Sequence, residues 1–250
     1  MFDQLNTHTH THTGGVPSVL DNFDHDIRVH KFMPERKEKL FGGEGARDPY
    51  KIWPEDKFVP LKDGQIFRVD EENTLRIMHT PGHANDHVTI FHEEEKAMFT
   101  GDNVLGVGTS VFRNLADYMD SLKKMERVCR ENRVQRLYPS HGPILDDRSP
   151  GETITAYIKH RQSRIDQVRA VLERGGEYTA EEVTRIVYPK DKYPEHLILA
   201  AMGNTNQVLL ALCRDGVAIS SSSSTSSSTM MEKWRIVNDG GGDSNNSSHL

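Results

Sequence analysis

His79-Thr80-Pro81-Gly82-His83-Ala84-Asn85-Asp86-His87 is the stretch on which the fold of this chain turns. It follows a strand-like run, Thr74-Leu75-Arg76-Ile77-Met78, and the Pro81-Gly82 pair then forces a turn. His83 is therefore expected on a loop at a strand end, where side chains from several strands can meet in one cleft. Alone, a histidine after a Pro-Gly turn is equally at home as an ordinary loop residue. Its meaning depends on what the rest of the chain brings to the same edge.

Upstream, residues 7–15 read Thr-His-Thr-His-Thr-His-Thr-Gly-Gly. In extended backbone His8, His10 and His12 point one way, and three imidazoles on one face can hold zinc. A low-complexity histidine tract that merely picks up metal has the same composition. Gly14-Gly15 before Val16-Pro17 reads as a tight turn opening a helix. Residues 26–32 read as a strand, residues 34–54 as a long polar loop, and residues 58–69 as a hairpin turning at Lys62-Asp63-Gly64.

Downstream, His87-Val88-Thr89-Ile90-Phe91 and Ala97-Met98-Phe99-Thr100 are two strands joined by the charged turn at Glu93-Glu94-Glu95-Lys96. The second ends in Gly101-Asp102-Asn103, which places a carboxylate beside a glycine at a strand end. Asp102 could bridge two cations there, or simply make a turn. Leu115, Tyr118, Met119, Leu122, Met125 and Val128 recur at helical steps and predict a helix over 114–130. The next strand, residues 134–139, delivers Ser140-His141-Gly142, again a histidine at a strand end.

From Gly151 the pattern is helical. Ile154, Tyr157, Ile158, Ile165, Val168 and Leu172 mark a long helix ended by Gly175-Gly176. Thr179-Ala180-Glu181-Glu182 is a capping box opening a second, and a third runs over 195–214. Val217-Ala218-Ile219 and residues 233–237 then form a two-stranded ribbon around a Ser/Thr run at 220–229. Three helices and a ribbon predict a winged helix with a disordered wing tip, followed by a disordered tail over 238–250. The domain boundaries read from the sequence are thus 1–150 and 151–237.

The chain has 250 residues, 27% charged and 35% hydrophobic, and a net charge of −6. That balance argues against a dedicated nucleic-acid binder, whose affinity comes from neutralising phosphates. Two local stripes run the other way: residues 121–136 hold six cations against two acids, and residues 159–174 hold five against two. No apolar run is long enough to span a bilayer, Leu197 to Met202 being among the longest, so no membrane partner is expected. The N-terminus has the composition of neither a signal peptide nor a transit sequence. Cys129 and Cys213 lie on helical patterns and are expected to be buried, reduced thiols.

Taken together, the four strand-end segments resemble the metallo-β-lactamase superfamily, whose fold is a four-layer αββα sandwich. The matching motifs are the His8/His10/His12 run before Gly14-Gly15, then Thr80-Pro81-Gly82-His83, Gly101-Asp102 and His141-Gly142. Within the superfamily the chain is similar to the β-lactamase-like protein 2 group, endoribonucleases of animal mitochondria. The stretches that carry this are 79–87, 97–106 and Tyr157-Ile158-Lys159-His160-Arg161. The Gly101-Asp102-Asn103-Val104-Leu105-Gly106 wording also resembles fungal members that hydrolyse acyl-carrier thioesters.

The resemblance implies one zinc held by His8, His10 and His83, and a second held by His12 and His141, with Asp102 bridging. Asp86 and His87 would assist proton transfer or support the ligands. Two departures stand out. Thr11 precedes His12 where the family has an Asp, so the second ion loses a carboxylate. The family's opening strands, including the one leading into the first motif, are expected to be missing. Three functional readings follow: cleavage of single-stranded RNA by a metal-activated water, hydrolysis of an acyl-thioester by the same apparatus, or a truncated, metal-impaired, non-catalytic relative. By resemblance the location is the mitochondrial matrix, and otherwise the cytoplasm.

Overall fold

A computed structural model of the chain describes residues 2–8, 14–23, 26–34, 57–146, 148–221 and 232–237. It divides into two compact units, Met1–Gln162 and Ser163–Leu250. His10, His12, most of the loop expected over 34–54, most of the Ser/Thr run and the tail at 238–250 lie outside the described residues.

In the first unit the elements run β1 (Phe2–Leu5), α1 (Val16–Asn22), β2 (Ile27–Phe32), β3 (Val59–Leu61), β4 (Ile66–Arg68), β5 (Thr74–His79), β6 (Val88–His92), β7 (Ala97–Gly101), α2 (Leu115–Glu131) and β8 (Arg136–Pro139). Strands β1-β2-β3 form a parallel sheet, and β4-β5-β6-β7-β8 form a second sheet that is antiparallel except for β7 and β8. The 23-residue helix α3 (Pro150–Leu172) follows, and the division between the units falls within it.

The layer order follows from alternation along the strands. Ile77, Val88 and Ile90 of the second sheet pack against Leu61, Leu5 and Phe32 of the first. The residues between them, Met78, Thr89 and Phe91, are buried from the opposite face. There Thr89 Oγ1 reaches Met125 of α2, and Met98 of β7 reaches Cys129. On the outer side of the first sheet, Val29 packs with Val16 and Leu20 of α1. The result is helix, sheet, sheet, helix. Each buried Leu or Ile contributes roughly 1.5–3 kcal/mol, so the seam between the sheets is a main source of cohesion.

Helix α2 forms where the periodicity predicts it, with Asn114 accepting from the Asp117 amide at its N-terminus. It packs closely on Gly82, whose φ is +131° and where a Cβ would lie 2.3 Å from the Tyr118 Cα. Only glycine admits both that backbone conformation and that contact. Burial pushes the Cys129 thiol up to about 12, which leaves it inert; Cys213 is only half-buried, against expectation.

Three expectations are corrected. Residues 58–69 are not a hairpin: β3 pairs with β2 in the first sheet and β4 with β5 in the second, so the turn at Gly64 carries the chain between sheets. Leu61 decides this, since its side chain belongs in the seam. A strand does lead into the first histidine motif: β1 pairs with β2 along its whole length, and Asp3 bonds both Arg28 and His30. Burial first raises the Asp3 pKa, but these bonds more than offset it and leave the carboxyl below its usual value.

In the second unit come β9 (Tyr178–Thr179), α4 (Ala180–Val187), α5 (Glu195–Arg214), β10 (Ala218–Ser220) and β11 (Lys233–Ile236). The sheet order is β10-β11-β9, so the ribbon has a third strand too short for any periodicity to reveal. The third correction concerns α5. By length and composition it could cross a bilayer, because its central polar residues interrupt an apolar run without outweighing it. Yet Ile198, Ala201, Met202, Val208, Leu209 and Leu212 are buried, the pattern of a core helix. The predicted capping box is present, Thr179 and Glu182 each bonding the other's amide. Thr179→Ala should therefore lower stability by about 1 kcal/mol, measured as a shift in the urea unfolding midpoint at constant slope.

Candidate metal centre

Four strand ends meet at one edge of the first unit. His8 follows β1, and Thr7 O accepts from the Val88 amide at 2.7 Å, which ties the motif to the second sheet. His83 sits in the loop between β5 and β6, Asp102 directly follows β7, and His141 follows β8. Ser140 N donates to Gly101 O, and Gly106 N to His141 O at 2.8 Å, so the last two loops are stitched together.

The carboxylate of Asp102 is the meeting point. Its Oδ2 lies 3.6 Å from His8 Nε2 and 3.6 Å from His83 Nε2, while its Oδ1 lies 3.5 Å from His141 Nε2. The donor atoms of His8, His83 and Asp102 all fall within 4.8 Å of one another. His8 is fully buried, and its ring meets that of His83 edge-on with centroids 4.8 Å apart. Distances of 3.5–3.6 Å are too long for N–H···O hydrogen bonds. They match the edge of a coordination tetrahedron, about 3.3 Å for bonds of about 2.0–2.1 Å to zinc. The residues present therefore fit a cation. Because the two carboxylate oxygens face different histidines, Asp102 is also placed to serve two.

The tautomers agree with this. His83 Nδ1 lies 2.7 Å from Val111 O. A carbonyl only accepts, so the proton is on Nδ1 and the Nε2 lone pair faces Asp102. Thr7 Oγ1 is 3.1 Å from His8 Nδ1 and can play the same part.

His87 does something different. It is completely buried, and its Nε2 accepts from the Asp102 amide at 3.0 Å. Its Nδ1 must then donate to Thr80 Oγ1, 2.9 Å away, whose hydroxyl passes on to Thr89. Burial foremost, and then the neighbouring His8 and His83, hold its pKa well below the usual histidine value. A neutral imidazole with both nitrogens engaged fixes the backbone at Asp102. Asp86, in the same loop, pairs with Lys31 of β2 at 3.2 Å, both side chains nearly fully buried.

Residues 5–141 match the Metallo-beta-lactamase superfamily, and residues 179–234 match the Beta-lactamase associated winged helix domain. The chain belongs to the metallo-beta-lactamase superfamily. It is 37% identical over 212 residues to a Beta-lactamase-like protein 2 homolog of Caenorhabditis elegans, covering 84% of this chain and 64% of that protein. It is 32% identical over 227 residues to the Atrochrysone carboxyl ACP thioesterase nsrC of Aspergillus novofumigatus, covering 86% and 62%. A Beta-lactamase domain protein from Burkholderia ambifaria shares the fold, with a TM-score of 0.74 at 19% identity over 95% of this chain and 74% of that one. The chain spans about half to two-thirds of the length of the curated relatives it matches.

Of the residues singled out in the sequence, the metallo-beta-lactamase fold thus brings His8, His83, Asp102 and His141 to one point and sets His87 behind them. His10 and His12 lie outside the described residues. Sequence reading missed Lys31, Val111 and Thr80, whose contributions are a buried cation, a main-chain carbonyl and a hydroxyl; none carries a spacing signal. Gly101 tests the geometry directly. Its φ is +54°, and a Cβ there would lie 2.3 Å from His87 Nε2. Gly101→Ala should cost more than about 1 kcal/mol in urea unfolding and displace the His87 ring resonances in NMR spectra.

Proposed function

We propose that this chain is a zinc-dependent hydrolase acting on acyl-thioesters. The observation that carries the metal reading is the convergence of three imidazole nitrogens on the two oxygens of one carboxylate, at 3.5–3.6 Å. His8 and His83, with His10, would hold one zinc; His141, with His12, would hold the other; Asp102 would lie between. Bound zinc supplies a water whose pKa falls towards about 7 and a Lewis acid for the scissile carbonyl. The protein's own part is orientation. His87 holds the Asp102 backbone, Val111 holds the His83 tautomer, and Lys31 with Asp86 anchors the loop between them to β2.

The substrate class draws support from the thioesterase names among the relatives, at 32% and 34% identity. Single-stranded RNA remains the competing substrate, and the winged-helix unit speaks for it. The basic stripes give it less support than their composition suggests. Lys123, Lys124 and Arg130 are paired with Asp120, Asp63 and Glu126, and Arg161 is buried. The buried Arg161 serves the fold before it serves a polyanion, whereas the exposed pairs of Lys123 and Arg130 contribute little to stability.

Turnover of an acyl-pantetheine thioester, followed by release of free thiol, is expected in zinc-loaded protein and should vanish on chelation. His83→Ala should lower the rate by more than the 10–100-fold that loss of an outer partner costs. Cleavage of single-stranded RNA without thiol release would sink the substrate assignment. Folded protein that stays metal-free in excess zinc would sink the metal assignment.

A further inference from the structure

Arg161 closes the Tyr157-Ile158-Lys159-His160-Arg161 stretch, which the chemistry above leaves unused. It lies on α3 in the first unit and is 3% exposed. Its Nη2 donates to Thr109 Oγ1 and to Ser110 O, each at 2.7 Å. The guanidinium also lies over the rings of Phe112 and Tyr118, 5.1 and 5.4 Å from their centroids. Removing a guanidinium from water costs several kcal/mol, and an apolar side chain of similar volume would fill the space more cheaply. The contacts it makes therefore point to a geometric task.

That task is visible one peptide further on. Ser110 O, held by Arg161, is followed directly by Val111 O, the acceptor for His83 Nδ1. Ser110 Oγ also donates to Val111 O, at 3.2 Å. On the far side of the segment, Arg113 N and Asn114 N both donate to Gly82 O, the residue before His83. Residues 109–114 thus form a short strap with Arg161 at one end and the His83 loop at the other. Tyr157 adds a tie at Leu105, whose backbone both donates to and accepts from the tyrosine hydroxyl.

We infer that Arg161 is a positioning residue for His83. By holding the Ser110 carbonyl it sets the Val111 carbonyl, which keeps the His83 proton on Nδ1 and the Nε2 lone pair directed at Asp102. Released from that acceptor, the imidazole can shift its proton to Nε2, and in that form Nε2 cannot bind a cation. The inference rests on the metal-site reading above, but the tautomer it predicts exists with or without metal.

Two measurements on the full chain test it. In metal-free protein, long-range 15N–1H correlation should show His83 as the Nδ1–H tautomer, and Arg161→Met should turn this into a mixture. Cobalt(II) titration, read from the visible absorption band, should show the dissociation constant rising about 10–100-fold in the same variant. If Arg161→Met does not fold, Arg161→Lys, which keeps the charge without the planar fork, is read by the same two measurements. Arg164→Met, on the same helix but stacked on Tyr188, should change neither. A folded Arg161 variant with unaltered tautomer or unaltered cobalt affinity would overturn the inference, as would an equal loss in Arg164→Met. Should the unsubstituted protein itself bind no cobalt, the metal reading fails and the tautomer alone decides the role of Arg161.

Discussion

The hydrogen bond from the Asp102 amide to His87 Nε2 organises the site, because it joins two buried groups from different loops at the point where four strand ends converge. It needs His87 neutral, and burial away from solvent keeps it so. It needs the Gly101 backbone in a left-handed conformation with no Cβ, which brings the amide against the imidazole. It also needs Thr80 Oγ1 to accept from the Nδ1–H of that imidazole and to pass the chain of hydroxyls on through Thr89 to α2. That bond fixes the backbone from which the Asp102 carboxylate projects, and the carboxylate faces His8, His83 and His141.

Around this point the support is arranged in successive contacts. Val111 orients His83, Thr7 flanks His8, and the Lys31–Asp86 pair holds the intervening loop to the first sheet. Further out, Arg161 and Tyr157 fasten the segment that follows Asp102. A site assembled from loops gains precision in this way, since each candidate ligand is held by a partner that is itself held. The sandwich supplies the frame: β7 and β8 are parallel neighbours, so their C-terminal ends present Asp102 and His141 side by side.

Local signals were legible wherever local physics decides. The α2 period, the Thr179 capping box, the helix over 195–214 and the strands on either side of Glu93–Lys96 all stand where propensity and spacing place them. The misreading at 58–69 has the opposite origin. Two short strands around a Gly turn carry a hairpin pattern, and only the burial of Leu61 between two sheets sends them to different ones. The two-residue strand β9 is likewise below the length at which alternation means anything.

What the sequence determined by itself was the inventory and part of the edge: five histidines and an aspartate beside glycine, proline or threonine residues, with His83, Asp102 and His141 each at the end of a strand-like run. Chain chemistry sets such features within a few residues, so they survive without knowledge of the fold. Only tertiary structure decided which of them meet, that Asp102 divides its oxygens between His8 with His83 and His141, and that His87 stands behind the carboxylate with both nitrogens engaged. The reason is reach. A distance of 3.6 Å between His8 and Asp102, nearly a hundred positions apart, depends on how two sheets pack, and packing is set by the whole seam of side chains between them.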